Sequence, residues 1–338
     1  MISIFPLQLR SDLGDFLKNW QSVSTKEELV AAIVTASLAA LMFASLGLLW
    51  FAANVDIAPG IWRLPIIFFS AVLTFYYSTV RFRPAIATGL GFVLALQLGS
   101  FLGAANGYLV YSAGAEFPLI DAQLYAIDQW IGFDWLTMMR IFGDHPMLVK
   151  LTQVAYDLAA VQIAAALPLL VLAGQNDRLM KLVSAQLIAL VIIHIVSIFA
   201  PAIGAYGYLG LTAADHPGII LTSEGHTAVQ VLQLRTGALF HMDEARMMGL
   251  LTFPSFHTVL AIQSAWSFWQ LGMLRWPAAI FSMFVWVGTL FHGSHHLIDT
   301  IAGAAVAIFS IYAAIKATAT VQRQLYGEAS VIQSPKST

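Results

Sequence analysis

Two short polar segments interrupt apolar stretches of the chain and contain residues that could do chemistry. The first, Pro254-Ser255-Phe256-His257-Thr258, places two hydroxyls and an imidazole at the head of an apolar run. The second contains His292, His295, His296 and Asp299 between two further apolar runs. Burying such groups costs free energy unless they find partners, so the polar residues at these positions need an explanation.

The residue types and their spacing predict phosphoryl transfer. His295 and Asp299 are four residues apart and therefore neighbours on one face of a helix. A carboxylate beside an imidazole fixes its tautomer and raises its basicity, which suits a nucleophile that works near neutral pH. We expect His295 to attack the phosphorus and Asp299 to orient it. We expect His257 to protonate the leaving oxygen, and Ser255, at a helix start, to hold phosphoryl oxygens.

Three other interpretations of these residues stay open at the level of sequence. They could form a satisfied polar network at helix ends without a catalytic role. His292, His295, His296 and Asp299 could together ligate a metal ion. The histidines could instead relay protons in a transporter or serve a lipid-binding membrane protein, and intramembrane ionisable groups are commonly functional in such proteins.

The composition places the chain among polytopic membrane proteins. Hydrophobic residues make up 59% of the 338 residues and charged residues only 10%, against roughly 25% charged in soluble domains. The net charge of −2 gives a nucleic-acid partner no electrostatic basis. The absence of cysteine excludes thiol catalysis and disulfide bonds.

The hydropathy pattern predicts an all-α fold, a polytopic membrane helix bundle with about eight transmembrane helices. The expected spans are Leu29–Ala53 and then roughly 62–80, 85–112, 147–173, 181–203, 254–272, 276–293 and 297–317. This arrangement puts most of the 16 lysines and arginines on the side of both termini, which predicts cytoplasmic termini. It also brings His257 and His295 to the same extracytoplasmic membrane level.

The chain divides into four predicted regions. Residues 1–28 form an N-terminal interfacial segment, 29–112 the N-terminal transmembrane helices, 113–321 a catalytic membrane core and 322–338 a cytoplasmic tail. Within the core, 204–253 is expected to be an external loop. Another external stretch is expected to hold interfacial helices with Trp130 and Trp135 at headgroup level.

The two motifs resemble those of the phosphatidic acid phosphatase type 2 superfamily. The resemblance rests on Pro254-Ser255-x-His257, His295-x-x-x-Asp299 and Ala302-Gly303. It implies a six-helix phosphatase-like core and a phosphohistidine mechanism that needs no metal or other cofactor. Stretches within 121–310, among them YAIDQWIGFDW and PAIGAYGYLG, are similar to the branch that contains inositol phosphorylceramide synthase. This implies an inositolphosphotransferase-like relative.

The sequence departs from the superfamily pattern where positive charge is expected. Tyr76 replaces the lysine that normally precedes Arg83-Pro84 by seven residues, and Thr289 replaces the arginine six residues before His295. Another group must then neutralise the phosphate. We favour His292 and Arg246 as substrate-binding residues, and the other candidates are Arg140, Lys150, Arg235 and His296. Tyr156 and Asp157, a polar pair within the predicted span 147–173, are further candidates for substrate binding.

The expected protein is an integral membrane lipid phosphatase or phosphotransferase with its active site on the extracytoplasmic side, periplasmic or lumenal. Its substrate would be a phospholipid, a polyprenyl phosphate or a sphingolipid drawn from the bilayer. Water as acceptor gives hydrolysis, and a lipid alcohol such as ceramide gives an inositol phosphorylceramide synthase-like transfer. The sequence leaves this choice open.

Overall fold

The computed structural model describes most of the chain from residue 63 onwards. The described residues are 56–58, 63–81, 84–212, 214–216, 218–219, 221, 226–238, 241–243 and 249–326. The predicted interfacial segment 1–28, the first predicted span Leu29–Ala53, Arg246 and the end of the predicted tail lie outside these residues.

Helices make up nearly all of the regular structure in the described residues, which confirms the helical class. They are α1 Arg63–Thr79, α2 Pro84–Ala113, α3 Asp121–Trp130, α4 Trp135–Gly143, α5 Pro146–Asp157, α6 Ala159–Leu172, α7 Asn176–Phe199, α8 Ala205–Tyr208, α9 His226–Thr236, α10 Phe256–Phe268, α11 Arg275–Phe291 and α12 Leu297–Tyr326. A 3₁₀ turn, Gly272–Leu274, precedes α11. Two strands that an all-α fold did not anticipate, β1 Asp56–Ala58 and β2 His241–Asp243, form a small parallel sheet.

Helices occupy the ranges of the predicted spans after the first. By length and apolar composition, three described helical stretches are able to cross a membrane: Asp177–Phe199, Gly272–Phe291 and Leu297–Val321. The predicted span 147–173 is broken at Leu158, where α5 and α6 meet at 54°, and this bent pair makes a fourth candidate. The count of eight transmembrane helices therefore stays a prediction.

Helix α10 lies at the centre of the bundle and packs against α6, α7, α11 and α12. Its contact with α12 is close because Gly303 has no side chain: a Cβ there would lie 2.4 Å from the carbonyl oxygen of Ser255. Helix α11 approaches α5 in the same way through Gly288, where a Cβ would lie 2.6 Å from the carbonyl oxygen of Thr152. The backbones of α10 and α12, and those of α5 and α11, are therefore in direct contact close to the two polar motifs.

Shorter elements cover one end of this bundle. Helix α9 packs on α2, with Val231 and Leu234 buried in a cluster that includes Tyr108 and Leu109. In the small sheet, β1 pairs with β2 so that the chain just before α1 meets the predicted external loop 204–253. Helices α3, α4 and α8 lie near the start of α12 and supply much of its hydrogen bonding.

Candidate active site

A cavity of about 620 Å³ lies between the long helices of the bundle and the shorter elements at one end, among them α8 and α9. Both predicted catalytic histidines line it. His257 lies in the first turn of α10, and His295 lies just before α12. The remaining walls are mainly apolar and come from α2, α6, α7 and α10: Gly103, Ala104, Gly107, Ile163, Leu167, Leu182, Val183, Leu187, Leu190, Phe256 and Leu260. The cavity thus has a polar end and a long apolar body.

His295 is oriented by Asp299, as its spacing predicts. The Asp299 carboxylate lies in the first turn of α12, where one oxygen accepts the backbone N–H of His296 at 3.0 Å. The same oxygen lies 3.3 Å from Nδ1 of His295, and both side chains are buried. With Nδ1 held by the carboxylate, Nε2 is the ring nitrogen that remains to react.

The backbone that leads into His295 is held in an uncommon conformation. Ser294 has φ of 60°, in the left-handed region that costs free energy for residues other than glycine. Its carbonyl and its hydroxyl accept the backbone N–H groups of Ala205 and Tyr206, each at 2.8 Å. Trp135 donates its indole N–H to the carbonyl oxygen of His295 at 3.1 Å. These three hydrogen bonds hold the backbone on which His295, the candidate nucleophile, is placed.

Trp135 is fully buried beneath the start of α12, whereas Trp130 is 85% exposed. The position of both tryptophans at headgroup level stays a prediction. A buried indole N–H needs an acceptor, and the carbonyl oxygen of His295 supplies it.

Tyr156 supports His257 from α5. The two rings stack with centroids 4.2 Å apart and planes inclined by 24°, and His257 lines the same cavity as His295. Tyr156 also lines the cavity, so its predicted contact with substrate is compatible with its position. Gly293 makes room for the phenol, since a Cβ at this position would lie 2.9 Å from the Tyr156 hydroxyl.

Ser255 acts as the N-cap of α10. Its hydroxyl accepts from the backbone N–H of Thr258 at 3.4 Å and from the Thr258 hydroxyl at 3.2 Å. The side chain is fully buried, and Ser255 is not among the residues that line the cavity. Its backbone N–H donates to the carbonyl oxygen of Asp299 at 3.0 Å and so ties α10 to α12. A direct contact with phosphate stays a prediction.

Of the other predicted substrate ligands, the two that the structure describes, His292 and Asp157, do not line the cavity. His292 is buried on the α5 side, where Nε2 contacts the Thr152 hydroxyl at 3.0 Å and the Val149 carbonyl at 3.1 Å. Asp157 lies exposed at the break between α5 and α6 and does not line the cavity. Arg246 lies outside the described residues. The geometry therefore gives no support to His292 or Asp157 as phosphate ligands.

The three predicted cations that the structure describes also lie away from the cavity lining. Arg235 donates to the carbonyl oxygens of Gly114 and Ala115 at 3.0 and 3.1 Å, and so caps the end of α2. Arg140 and Lys150 are exposed. Each cation thus has a position that keeps its charge away from the two histidines.

Two buried aspartates of α3 were missed by the sequence reasoning. Asp128 accepts the backbone N–H groups of Leu297 and Ile298 at 2.8 and 2.9 Å and caps α12. Asp121 accepts those of Ile203 and Gly204 at 2.9 to 3.0 Å. The signal for both was their seven-residue spacing, which puts two acids on one helical face.

His296 lies between these two carboxylates. Its Nε2 is 3.6 Å from Asp121 and its Nδ1 is 3.7 Å from Asp128. Burial alone would lower the pKa of His296, but the two carboxylates raise it to about 9. The two carboxylates thus favour the protonated form of His296, which lies between α3 and the start of α12.

The arrangement does not favour a metal site built from the second motif. The rings of His292, His295 and His296 are directed to three different partners, Thr152, Asp299 and the pair of α3 aspartates. Among the described residues, no group of three or more histidine, cysteine or acidic side chains could hold a metal ion.

Comparison with known proteins gives one result. The model of a family described as the PAP2 superfamily matches residues 122–313, which is more than half of the chain and includes both motifs. No curated protein and no solved structure matches the chain.

Proposed function

We propose that this chain, which belongs to the PAP2 superfamily, is an integral membrane enzyme that breaks a phosphate ester bond of a lipid. Membership supports a phosphatase or phosphotransferase activity. The observation that carries the finer proposal is that His257 and His295, the latter paired with Asp299, line one cavity whose remaining walls are mainly apolar.

The proposed reaction proceeds in two displacements. Nε2 of His295 attacks the phosphorus, the bond from phosphorus to the ester oxygen breaks, and His257 gives its proton to the leaving oxygen. Asp299 stabilises the charge that His295 acquires. In the second step His257 takes a proton from water or from an alcohol. The oxygen of that water or alcohol attacks the phosphohistidine, and the bond from phosphorus to nitrogen breaks. His295 is thereby regenerated.

A lipid fits this cavity better than a small water-soluble ester does. The apolar body between α2, α6 and α7 offers leucine, isoleucine and glycine surfaces to a hydrocarbon chain. A hydrocarbon chain drawn from the bilayer can enter these walls without exposing apolar surface to water, whereas a small polar ester would leave them unfilled. The polar end with His257 and His295 would then receive the phosphate.

An extracytoplasmic site is supported by the distribution of charge along the bundle. At the end of α10 far from His257, Arg178 lies over the Trp266 ring at 4.0 Å. Arg275 lies 5.4 Å from the Trp276 ring at the same end. Tryptophan is enriched at both membrane interfaces, and arginine is enriched on the cytoplasmic side. The histidine end is then the outer end, and eight spans with cytoplasmic termini remain part of the proposal.

Transfer to a lipid alcohol is the second candidate, and the cavity volume favours it. About 620 Å³ is far more than a phosphate group needs, so an acceptor chain has room beside the donor chain. An inositol phosphorylceramide synthase-like activity is one form of this transfer.

The test is turnover by the purified protein in lipid nanodiscs. Labelled phosphatidic acid, polyprenyl pyrophosphate and phosphatidylinositol are supplied with and without ceramide or diacylglycerol. Free phosphate from phosphatidic acid or polyprenyl pyrophosphate, or inositol phosphate from phosphatidylinositol, shows hydrolysis, and a new phospholipid shows transfer. His295→Gln is the matched variant, because the amide keeps the size and polarity but cannot form the intermediate. Equal turnover by wild type and His295→Gln would refute the proposal.

A further inference from the structure

The cavity needs a source of positive potential that its described side chains do not supply. Among the described residues that line it there is no lysine or arginine. A phosphate monoester carries roughly −1.5 to −2 charges at neutral pH. Placing that charge in a largely apolar cavity is costly unless donors or cations face it.

The first turn of α9 reaches the same cavity. Helix α9 begins at His226, and Thr227 and Ala228 both line the cavity. The first four N–H groups of a helix have no partner within that helix. They carry the positive end of the helix dipole and are suited to anions.

Thr227 supplies an independent observation at this turn. It is only 7% exposed, and its hydroxyl is buried without a hydrogen-bond partner among the described residues. A buried hydroxyl without a partner costs free energy, because it has lost its hydrogen bonds to water. A ligand oxygen in the cavity would remove that cost.

Contacts along α8 connect this turn to the catalytic segment. Ser294, next to His295, accepts the backbone N–H of Tyr206 at 2.8 Å. The following residue, Gly207, lies against α9, and a Cβ there would be 2.6 Å from the Cβ of Ala228. The two contact points lie on consecutive residues of α8, whose Cα atoms are about 3.8 Å apart.

Helix α9 is fixed in this orientation at its middle and its end. The Tyr108 hydroxyl donates to Oε1 of Gln230 at 3.0 Å, and Arg235 is bonded to carbonyl oxygens at the end of α2. Val231 and Leu234 are buried against α2. The N-terminal donors are therefore held in place before a ligand arrives.

We infer that the N-terminal turn of α9, with the Thr227 hydroxyl, binds the phosphoryl oxygens of the substrate. The inference rests on the proposed function in that it names the phosphate-binding group of the same site. The backbone donors and the helix dipole take the place of a cationic side chain.

The experiment measures phosphate binding separately from turnover. The thermal midpoint of the purified protein is recorded against inorganic phosphate, and the inhibition constant of inorganic phosphate is measured with whichever lipid is turned over. Thr227→Val keeps the shape and removes the hydroxyl, and Thr227→Ser restores it. Thr227→Asp adds a negative charge at a helix start, which favours the helix but repels an anion.

We expect phosphate to raise the wild-type midpoint. Its inhibition constant should rise about threefold to tenfold in Thr227→Val and at least about tenfold in Thr227→Asp. It should return to near the wild-type value in Thr227→Ser. Unchanged constants in both Thr227→Val and Thr227→Asp would overturn the inference.

The thermal measurement separates this result from the proposed function. A wild-type midpoint that rises with phosphate, and does so less in Thr227→Val, supports the phosphate site even if every lipid tested is left intact. Lipid turnover with no phosphate-dependent shift and no effect of Thr227 substitutions supports the enzyme and rejects the site.

Discussion

Replacing Gly303 by alanine should damage both the fold and the catalysis of this protein. The new Cβ would lie 2.4 Å from the Ser255 carbonyl oxygen and 3.1 Å from the Cβ of Thr258. Helices α10 and α12 must then separate by about 1 Å to restore ordinary contact, and such overpacking costs about 1–3 kcal/mol. The better helix propensity of alanine returns about 1 kcal/mol. We therefore expect the protein to lose up to about 2 kcal/mol of stability.

The effect on turnover should exceed the effect on stability. The bond from Ser255 N–H to the Asp299 carbonyl oxygen, now 3.0 Å, would stretch, and His257 would move relative to His295. A misplacement of about 1 Å can cost about 10²-fold in rate. The assays are thermal unfolding in detergent and initial rates on the lipid that the wild type accepts.

Gly91→Ala is the matched control for this substitution. Gly91 is also helical, but the nearest heavy atom to its added Cβ would be a methyl carbon of Thr74 at 3.7 Å, an ordinary contact. It should keep the wild-type rate and a midpoint equal to or above that of the wild type. If Gly303→Ala behaved like Gly91→Ala in both assays, the close backbone contact would not govern the site.

Three further predictions follow from the site. Asp299→Asn should lower kcat by about 10²–10⁴-fold, because the amide no longer selects the reactive tautomer of His295; a wild-type kcat would contradict this role. Tyr156→Phe, which keeps the stack on His257, should change kcat less than about threefold, whereas Tyr156→Leu should lower it about tenfold or more, and equal rates would refute support by stacking. The third concerns His296, whose pKa is raised to about 9 in the fold. The stability it contributes is full below its unfolded pKa of about 6.5 and is lost as pH rises through 9. The wild-type thermal midpoint should therefore fall between pH 7 and 10 more steeply than that of His296→Gln, and parallel curves would contradict the charged state.

The helices and the pairing of the two motifs could be predicted because the bilayer limits the alternatives. A backbone in hydrocarbon must satisfy its own hydrogen bonds, so long apolar runs become helices, and helix ends must alternate between two faces. His257 and His295 stand at such ends, and the structure brings both to one cavity. The contact between His295 and Asp299 could be predicted because the two residues are only four positions apart, so it depends on local backbone geometry alone.

Other features depended on contacts between distant segments. Asp121 and Asp128 look like the solvated face of a surface helix until His296 and the first N–H groups of α12 are placed against them. The bend at Leu158 occurs without a proline at the break, so the sequence offered no marker for it. Thr227 was overlooked because a single threonine in a polar loop has no pattern that distinguishes it.

The bond between Ser255 and Asp299, together with the bare face of Gly303, makes the catalytic ends of α10 and α12 a single rigid block. Part of the facing cavity wall comes from small residues of α2, which lie outside the stretch matched by the superfamily model, whereas the walls from α6 and α7 lie inside it. For the proposed lipid substrate, substitutions in α2 can therefore change the shape of the cavity without altering the segment that carries the two histidines.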